Sequence, residues 1–143
     1  MSCLFCDFIS GKRKKHINGF PFKKLRETKN TLTFLSIDFP ATEKGHTLVI
    51  PKKHFEQLED VPKNILDSLI NEARLASKVL RKTHKGTNIL VNNGKSAGQK
   101  IMHLHFHIIP RNPGDRIDVE HFRRRKIPLS AFDKLYSRLK KEF

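Results

Sequence analysis

A chain of 143 residues suits one ordinary domain, and a hydrophobic share of 37% with eleven Phe and no Trp is enough to fill its core. Two cysteines exclude a secreted disulfide scaffold, and no run approaches the roughly 18 apolar residues of a membrane span. With no leader pattern at the start, the expected setting is cytoplasmic. The net charge of +15 favours anionic partners such as nucleotides, phosphates or nucleic acid, although a merely lysine-rich surface gives the same total.

The first thirty residues hold Cys3-Leu-Phe-Cys6, the basic run Lys12 to Lys15, and a Gly-Phe-Pro-Phe stretch at 19–22. Residues 31–37, rich in β-branched and aromatic side chains, predict a strand. Phe39-Pro40 and Lys44-Gly45 punctuate a loop, and 46–50 predicts a second strand closed by Pro51. The clearest helix spans 62–82, with Pro62 at its first position and Asp60 or Val61 near the cap. Its apolar stripe of Ile65, Leu66, Leu69, Ala73, Ala76 and Leu80 is core. Strands follow at 87–92 and 102–109, separated by a loop over 92–100 with two glycines. A basic, loop-like tail runs through 126, and a short helix over 129–141 closes the chain. The sum is an α+β domain: a mainly antiparallel sheet covered by a helix on one face.

The chemistry concentrates in His103-Leu-His-Phe-His107. On a strand these three histidines share one face, while Leu104, Phe106 and Ile108 enter the core. At about 3.3 Å per residue, the outer imidazoles start about 13 Å apart. A zinc ion with bonds of about 2.0–2.1 Å to nitrogen takes two neighbours from this row but not three. The histidines therefore divide their labour. Gly94-Lys95-Ser96 resembles the end of a phosphate-binding loop, but that pattern needs a glycine where Ile89 stands. What remains is a glycine-bearing loop able to aim backbone N–H groups at a phosphate oxygen. Cys3-x-x-Cys6 stands too near the start for a redox motif at the head of a helix after a strand. It is a buried pair or half of a zinc site. Spacing alone does not choose the other two ligands among His16, His46, His54, His84, His103 and His121.

These residues resemble the histidine triad (HIT) superfamily. The resemblance also runs through Gly45-His-Thr-Leu-Val-Ile-Pro-Lys-Lys-His54, Asn88-Ile-Leu-Val-Asn-Asn-Gly94 and Ala97-Gly-Gln99, and Cys3-x-x-Cys6 is similar to the start of zinc-containing members of its Hint-like branch. It covers about 3–110 of a single domain spanning 1–143, leaving 111–143 as a basic extension. It implies a five-stranded sheet, a homodimer, and a nucleotide hydrolase or nucleotidyl transferase acting on purine nucleoside phosphoramidates or related AMP conjugates. His105 would be the nucleophile at the α-phosphorus, giving a nucleotidyl-histidine that water hydrolyses. His107 and His46 would hold the phosphate, with Asn92, Gly98 and Gln99 adding contacts. Cys3, Cys6, His54 and His103 would bind a structural zinc, leaving no metal needed for the chemistry.

Two departures from the family stand out. Lys100 replaces a small hydroxyl residue that assists the leaving group; a cation there either pairs with substrate phosphates or weakens activity on amine leaving groups. The family's Phe-Leu-Asp-Ile appears as Phe34-Leu-Ser-Ile-Asp38, so the ribose-binding carboxylate is Asp38, or is missing with Ser36 in its place. A diadenosine-polyphosphate hydrolase is the neighbouring alternative. A zinc-stabilised module binding nucleic acid or protein, motivated by the charge and by Arg123-Arg-Arg-Lys126, is the alternative outside catalysis.

Overall fold

The computed structural model describes residues 3–37, 44–119 and 125–143. Asp38, His121, Arg123 and Arg124 lie outside the described residues. The elements are α1 (Leu4–Ile9), β1 (Lys24–Glu27), β2 (Thr31–Leu35), β3 (Thr47–Pro51), α2 (Lys63–Leu80), β4 (Gly86–Val91), β5 (Phe106–Arg111) and α3 (Leu129–Glu142). The strands form one antiparallel five-stranded sheet in the order β1-β2-β3-β5-β4. The α+β reading, with its long helix and C-terminal helix, therefore holds.

All five residues of β3 are buried, so this strand is covered on both faces and not one. On one face Leu69 and Ala73 of α2 pack against Val49, Phe106 and Ile108, with Ile65, Leu66, Ala76 and Leu80 flanking them. On the other, Phe5 and Phe8 of α1 pack against Leu32, Phe34, Leu48 and Ile50. Each fully buried Val, Leu, Ile or Phe among these contributes about 1.5–3 kcal/mol of transfer free energy. A helix of six residues is too short to persist alone, so tertiary contacts must hold α1 in place.

Three local expectations need correction. The sheet does not rest on a single helical cover, because α1 covers its second face. Pro62 stands just before α2 instead of opening it: its ψ of 145° is extended, while its carbonyl accepts from the N–H groups of Ile65 and Leu66 at 3.0 Å each. The strand expected over 102–109 begins only at Phe106. Upstream, the His103 N–H turns back to the Ile101 carbonyl at 2.8 Å, and the Leu104 N–H leaves the sheet for the Phe55 carbonyl at 2.7 Å. His103 and His105 therefore precede β5, and only His107 lies on it.

Helix α3 carries Leu129, Phe132, Tyr136 and Leu139 at helical spacing, all exposed. Among the described residues, no helix is long and apolar enough to cross a membrane.

Candidate active site

Cys3 caps α1 and Cys6 follows one turn later, so both thiols meet the bend before β5. Cys3 Sγ lies 3.4 Å from His103 Nδ1, Cys6 Sγ 3.6 Å from the same atom, and Cys6 Sγ 3.4 Å from His54 Nδ1. A tetrahedral zinc with bonds of about 2.3 Å to sulfur and about 2.05 Å to nitrogen sets its ligands about 3.6 Å apart. The four ligand atoms all fall within 4.8 Å of one another. His103 also has the right tautomer. Its Nε2–H donates to the Pro51 carbonyl at 2.8 Å, which leaves the Nδ1 lone pair facing the sulfurs. Burial lowers the His103 pKa to about 4, which keeps the imidazole in its neutral, ligating form. Burial and the neighbouring Cys3 thiol push Cys6 up to about 11. Binding of zinc there would displace the thiol protons, because only thiolates ligate the metal. The donor set fits zinc.

The backbone of the same bend orients a second group. His105 Nδ1 lies 2.7 Å from the His103 carbonyl. A carbonyl only accepts, so the proton is on Nδ1 and the lone pair is on Nε2. Phe5 stands edge-on between the two imidazoles, with ring centroids 5.7 Å from His103 and 5.3 Å from His105. His107 packs across His105 at 4.8 Å, and its Nδ1 lies 3.0 Å from His46 Nε2. His46 is buried behind His107 and does not line the cleft.

His107 Nε2 is buried and has no hydrogen-bond partner among the described residues. Such an orphan costs about 1–3 kcal/mol, a strain that an incoming anion relieves. Burial, then the neighbouring His105 and His46, lower the His107 pKa to about 3. Its imidazole is thus expected to stay neutral at pH 5, where an ordinary histidine is charged. Nitrogen-detected NMR of the ring checks this, and a midpoint near 6.5 would contradict it.

His105 and His107 line a cleft of about 500 Å³ together with Asn92, Gly98, Lys100 and Asp118. Gly98 has φ of +88°, a conformation that disfavours any side chain, and its carbonyl meets Asn92 Nδ2 at 3.5 Å. Gln99 is 4% exposed and braces the loop instead of lining the cleft. Its amide donates to the Glu56 carbonyl at 2.7 Å and accepts from the Gly94 N–H at 2.8 Å. A second pocket, of about 290 Å³, adjoins the cleft through shared walls of Phe5, Leu48 and Ile101, and is lined further by His16, Phe34 and Ser36. Sheet register joins the two cavities. Phe34, Leu48, His107 and Leu90 are successive cross-strand partners from β2 through β3 and β5 to β4.

The family model for the HIT domain matches residues 20–114. The chain belongs to the HIT family. It is 42% identical over 114 residues to an uncharacterized HIT-like protein of Methanocaldococcus jannaschii, covering 79% of this chain and 81% of that one. It is 37% identical to an adenosine 5'-monophosphoramidase of Candida albicans (77% and 70% covered) and to an adenylylsulfatase of Arabidopsis thaliana (79% and 54%). Among solved structures it is similar to a histidine triad nucleotide-binding protein from Candida albicans. There the TM-score is 0.81 at 32% identity, over 99% of this chain and 96% of that one. A zinc-bound histidine triad family protein from Mycobacterium smegmatis gives 0.72 at 32% identity, over 96% and 98%.

Cys3 and Cys6 lie ahead of the stretch that the HIT model matches, yet they complete the four-residue cluster. Sequence reasoning did not single out Phe5, Asp118 or Val119, which also line the HIT cleft. For the last two, the one available signal was the pair Arg111 and Asp115 around Pro113-Gly114, too common a turn pattern to read as a site.

Proposed function

We propose that this chain, a HIT-family hydrolase that binds nucleotides, cleaves adenosine 5'-phosphoramidates and related AMP conjugates at the α-phosphorus. One observation carries the reading: the oriented Nε2 lone pair of His105 stands beside the unpartnered Nε2 of His107, inside a cleft that continues into an apolar pocket. The pocket suits a nucleobase against Phe34, and the buried Ser36 places a hydroxyl where the ribose follows. In the first step, His105 Nε2 forms a bond to phosphorus as the bond from phosphorus to the leaving amine breaks, and the amine takes up a proton from solvent. Water then attacks phosphorus, its oxygen stays with AMP, and the bond to His105 breaks to restore the imidazole. With His46 donating to His107 Nδ1, the His107 Nε2–H points at the phosphoryl oxygens, and Asn92 and the turn at Gly98 line the same space.

Zinc held by Cys3, Cys6, His54 and His103 makes a closed four-ligand site, which ties α1 to the bend. The ligand spacing and the zinc-bound mycobacterial relative support this assignment. We read the chain as one HIT domain over 1–143 with a basic extension from 111, acting in the cytoplasm as a homodimer. The exposed apolar stripe of α3 supports self-association, and a scattering mass of two chains tests it. The net charge of +15 draws anionic substrates towards the cleft.

Lys100 on the cleft wall favours a second reading, in which the leaving group is a nucleotide and the substrate a dinucleoside polyphosphate. Turnover of an adenosine phosphoramidate, a lysyl-AMP conjugate and a diadenosine polyphosphate by one preparation decides between them. The proposal expects the highest kcat/KM on the amine-leaving substrates. A preference for the polyphosphate would install the second reading, and no turnover of any of them would leave a binding module.

A further inference from the structure

No Asp or Glu occurs between Glu72 and Asp115, a stretch that begins on α2. Arg74 and Lys78 on the helix, and Arg81 and Lys82 in the turn that closes it, follow one another at helical spacing and share one face. At about 1.5 Å per residue they extend over roughly 12 Å. With Ser77 they line a shallow depression of about 520 Å³. All four are exposed, and none makes an ion pair among the described residues, whereas Arg26, Lys52, Lys63 and Arg111 each hold a carboxylate. Arg74 repels Lys78, and Lys78 repels Lys82, each four residues on. The dipole of α2 favours cations only within its last turn, so it accounts for the later cations but not for Arg74.

This face does not serve the cleft. Leu69 and Ala73 of α2 pack on Phe106 and Ile108 of β5, whereas His107, between those two in sequence, lines the cleft from the opposite face of the sheet. The depression and the cleft share no lining residue. The sheet separates them, so a polyanion on α2 leaves His105 and His107 accessible.

The lining also narrows the partner. It contains no aromatic ring to stack on an unpaired base or to anchor a protein, and no apolar side chain to enter a lipid layer. The Ser77 hydroxyl is engaged by Thr87 Oγ1 at 2.6 Å, so no uncommitted neutral side chain is left to read a base edge or a sugar hydroxyl. A row of cations without such groups suits a regular row of phosphates, met for charge and not for sequence.

We propose that this end of α2 is a docking surface for the phosphate backbone of double-stranded DNA, bound without sequence preference and at the same time as a nucleotide in the cleft. Docking there does not depend on which conjugate the cleft hydrolyses, and it gives part of the +15 charge a partner.

The test measures binding of the full chain to a short DNA duplex of mixed sequence by fluorescence anisotropy across a salt series. A Kd of about 1–100 μM is expected at physiological salt, with log affinity falling linearly against log salt. Each phosphate contact contributes about 0.9 to that slope, so changing Arg74, Lys78, Arg81 and Lys82 together to Gln should flatten it by about three to four. Gln suits a helix, so the thermal midpoint and phosphoramidate turnover should not fall. The single changes Arg74→Gln and Lys82→Gln should each flatten the slope by about one. Removing as many charges from α3, with Lys134→Gln, Arg138→Gln, Lys140→Gln and Lys141→Gln, should change it by less than about one. Saturating AMP should displace none of the duplex. Equal losses from the α2 and α3 variants would reduce the binding to diffuse attraction by net charge, and displacement by AMP would move it to the cleft; either result overturns the docking surface. So would no binding of the duplex, or tighter binding of a single strand, of polyglutamate or of phosphatidylserine vesicles.

Discussion

Replacement of His105 by Ala is expected to lower turnover of every adenosine phosphoramidate and AMP conjugate by about a thousandfold or more, the scale seen when a covalent nucleophile is removed. The geometry makes this effect specific. The imidazole is 7% exposed, it donates from Nδ1 to the His103 carbonyl, and Phe5 and His107 fix its ring from two sides. The cost of positioning Nε2 is therefore met during folding and not at the moment of reaction. The truncation also leaves a cavity of a few kcal/mol, so a loss of activity needs a control for loss of fold. His105→Asn supplies one, because it retains a polar side chain in the gap and removes the nucleophile. Both variants should keep a cooperative thermal transition and still bind AMP. Rapid acid-free quenching of the wild type should trap a protein heavier by one nucleotidyl group, and neither variant should yield it. Unchanged turnover in the two variants would remove His105 from the chemistry.

Comparison of sequence and structure separates what is encoded locally from what is not. Residues 62–82 read as a helix because six apolar side chains recur at its period, and α2 buries that stripe against β3 and β5. The closing helix was legible for the same reason. β1 was not: its sequence Lys-Leu-Arg-Glu is exposed at every position, and pairing with β2 alone makes it a strand. Helix α1 was illegible because six residues carry no usable periodicity and its Cys3 cap makes no side-chain hydrogen bond. What holds it, Phe5 and Phe8 against Phe34, comes from residues far along the chain. The alternation of histidines argued that they divide their labour, but for an incomplete reason. Spacing argued that one metal does not take all three, but the separation of His103 from His107 arises from the bend at 101–105, not from strand rise. Among eight histidines, spacing did not choose His54 and His103 as partners for the thiols. The family resemblance did, and these four residues meet in the fold.

Removal of zinc is expected to lower both the thermal midpoint and the turnover, though no ligand of the cluster lines the cleft. The coupling runs through two short paths. The His103 side chain belongs to the cluster with Cys3, Cys6 and His54, while the carbonyl of the same residue holds the Nδ1–H of His105. Cys3 and Cys6 anchor α1, which drives Phe5 between the two imidazoles and into the second core. An α1 of six residues without that anchor frays, and His105 loses its backing. Structural zinc contributes several kcal/mol to a small domain, so chelation or Cys3→Ser should lower the midpoint by about 10 °C. Turnover should fall with it, and the apparent KM should rise as Phe5, a wall of both the cleft and its neighbouring pocket, becomes mobile. Cobalt substitution gives a readout independent of activity, since two thiolates and two imidazoles around cobalt produce intense tetrahedral visible bands. Restoration of zinc should recover both midpoint and rate in the wild type but not in Cys3→Ser. A freshly purified protein with no bound metal and a midpoint indifferent to chelation would show that hydrogen bonding among Cys3, Cys6, His54 and His103 suffices to hold the bend. His105 would then owe its position to the Pro51 and Phe55 carbonyls, which receive His103 Nε2–H and the Leu104 N–H at 2.8 and 2.7 Å.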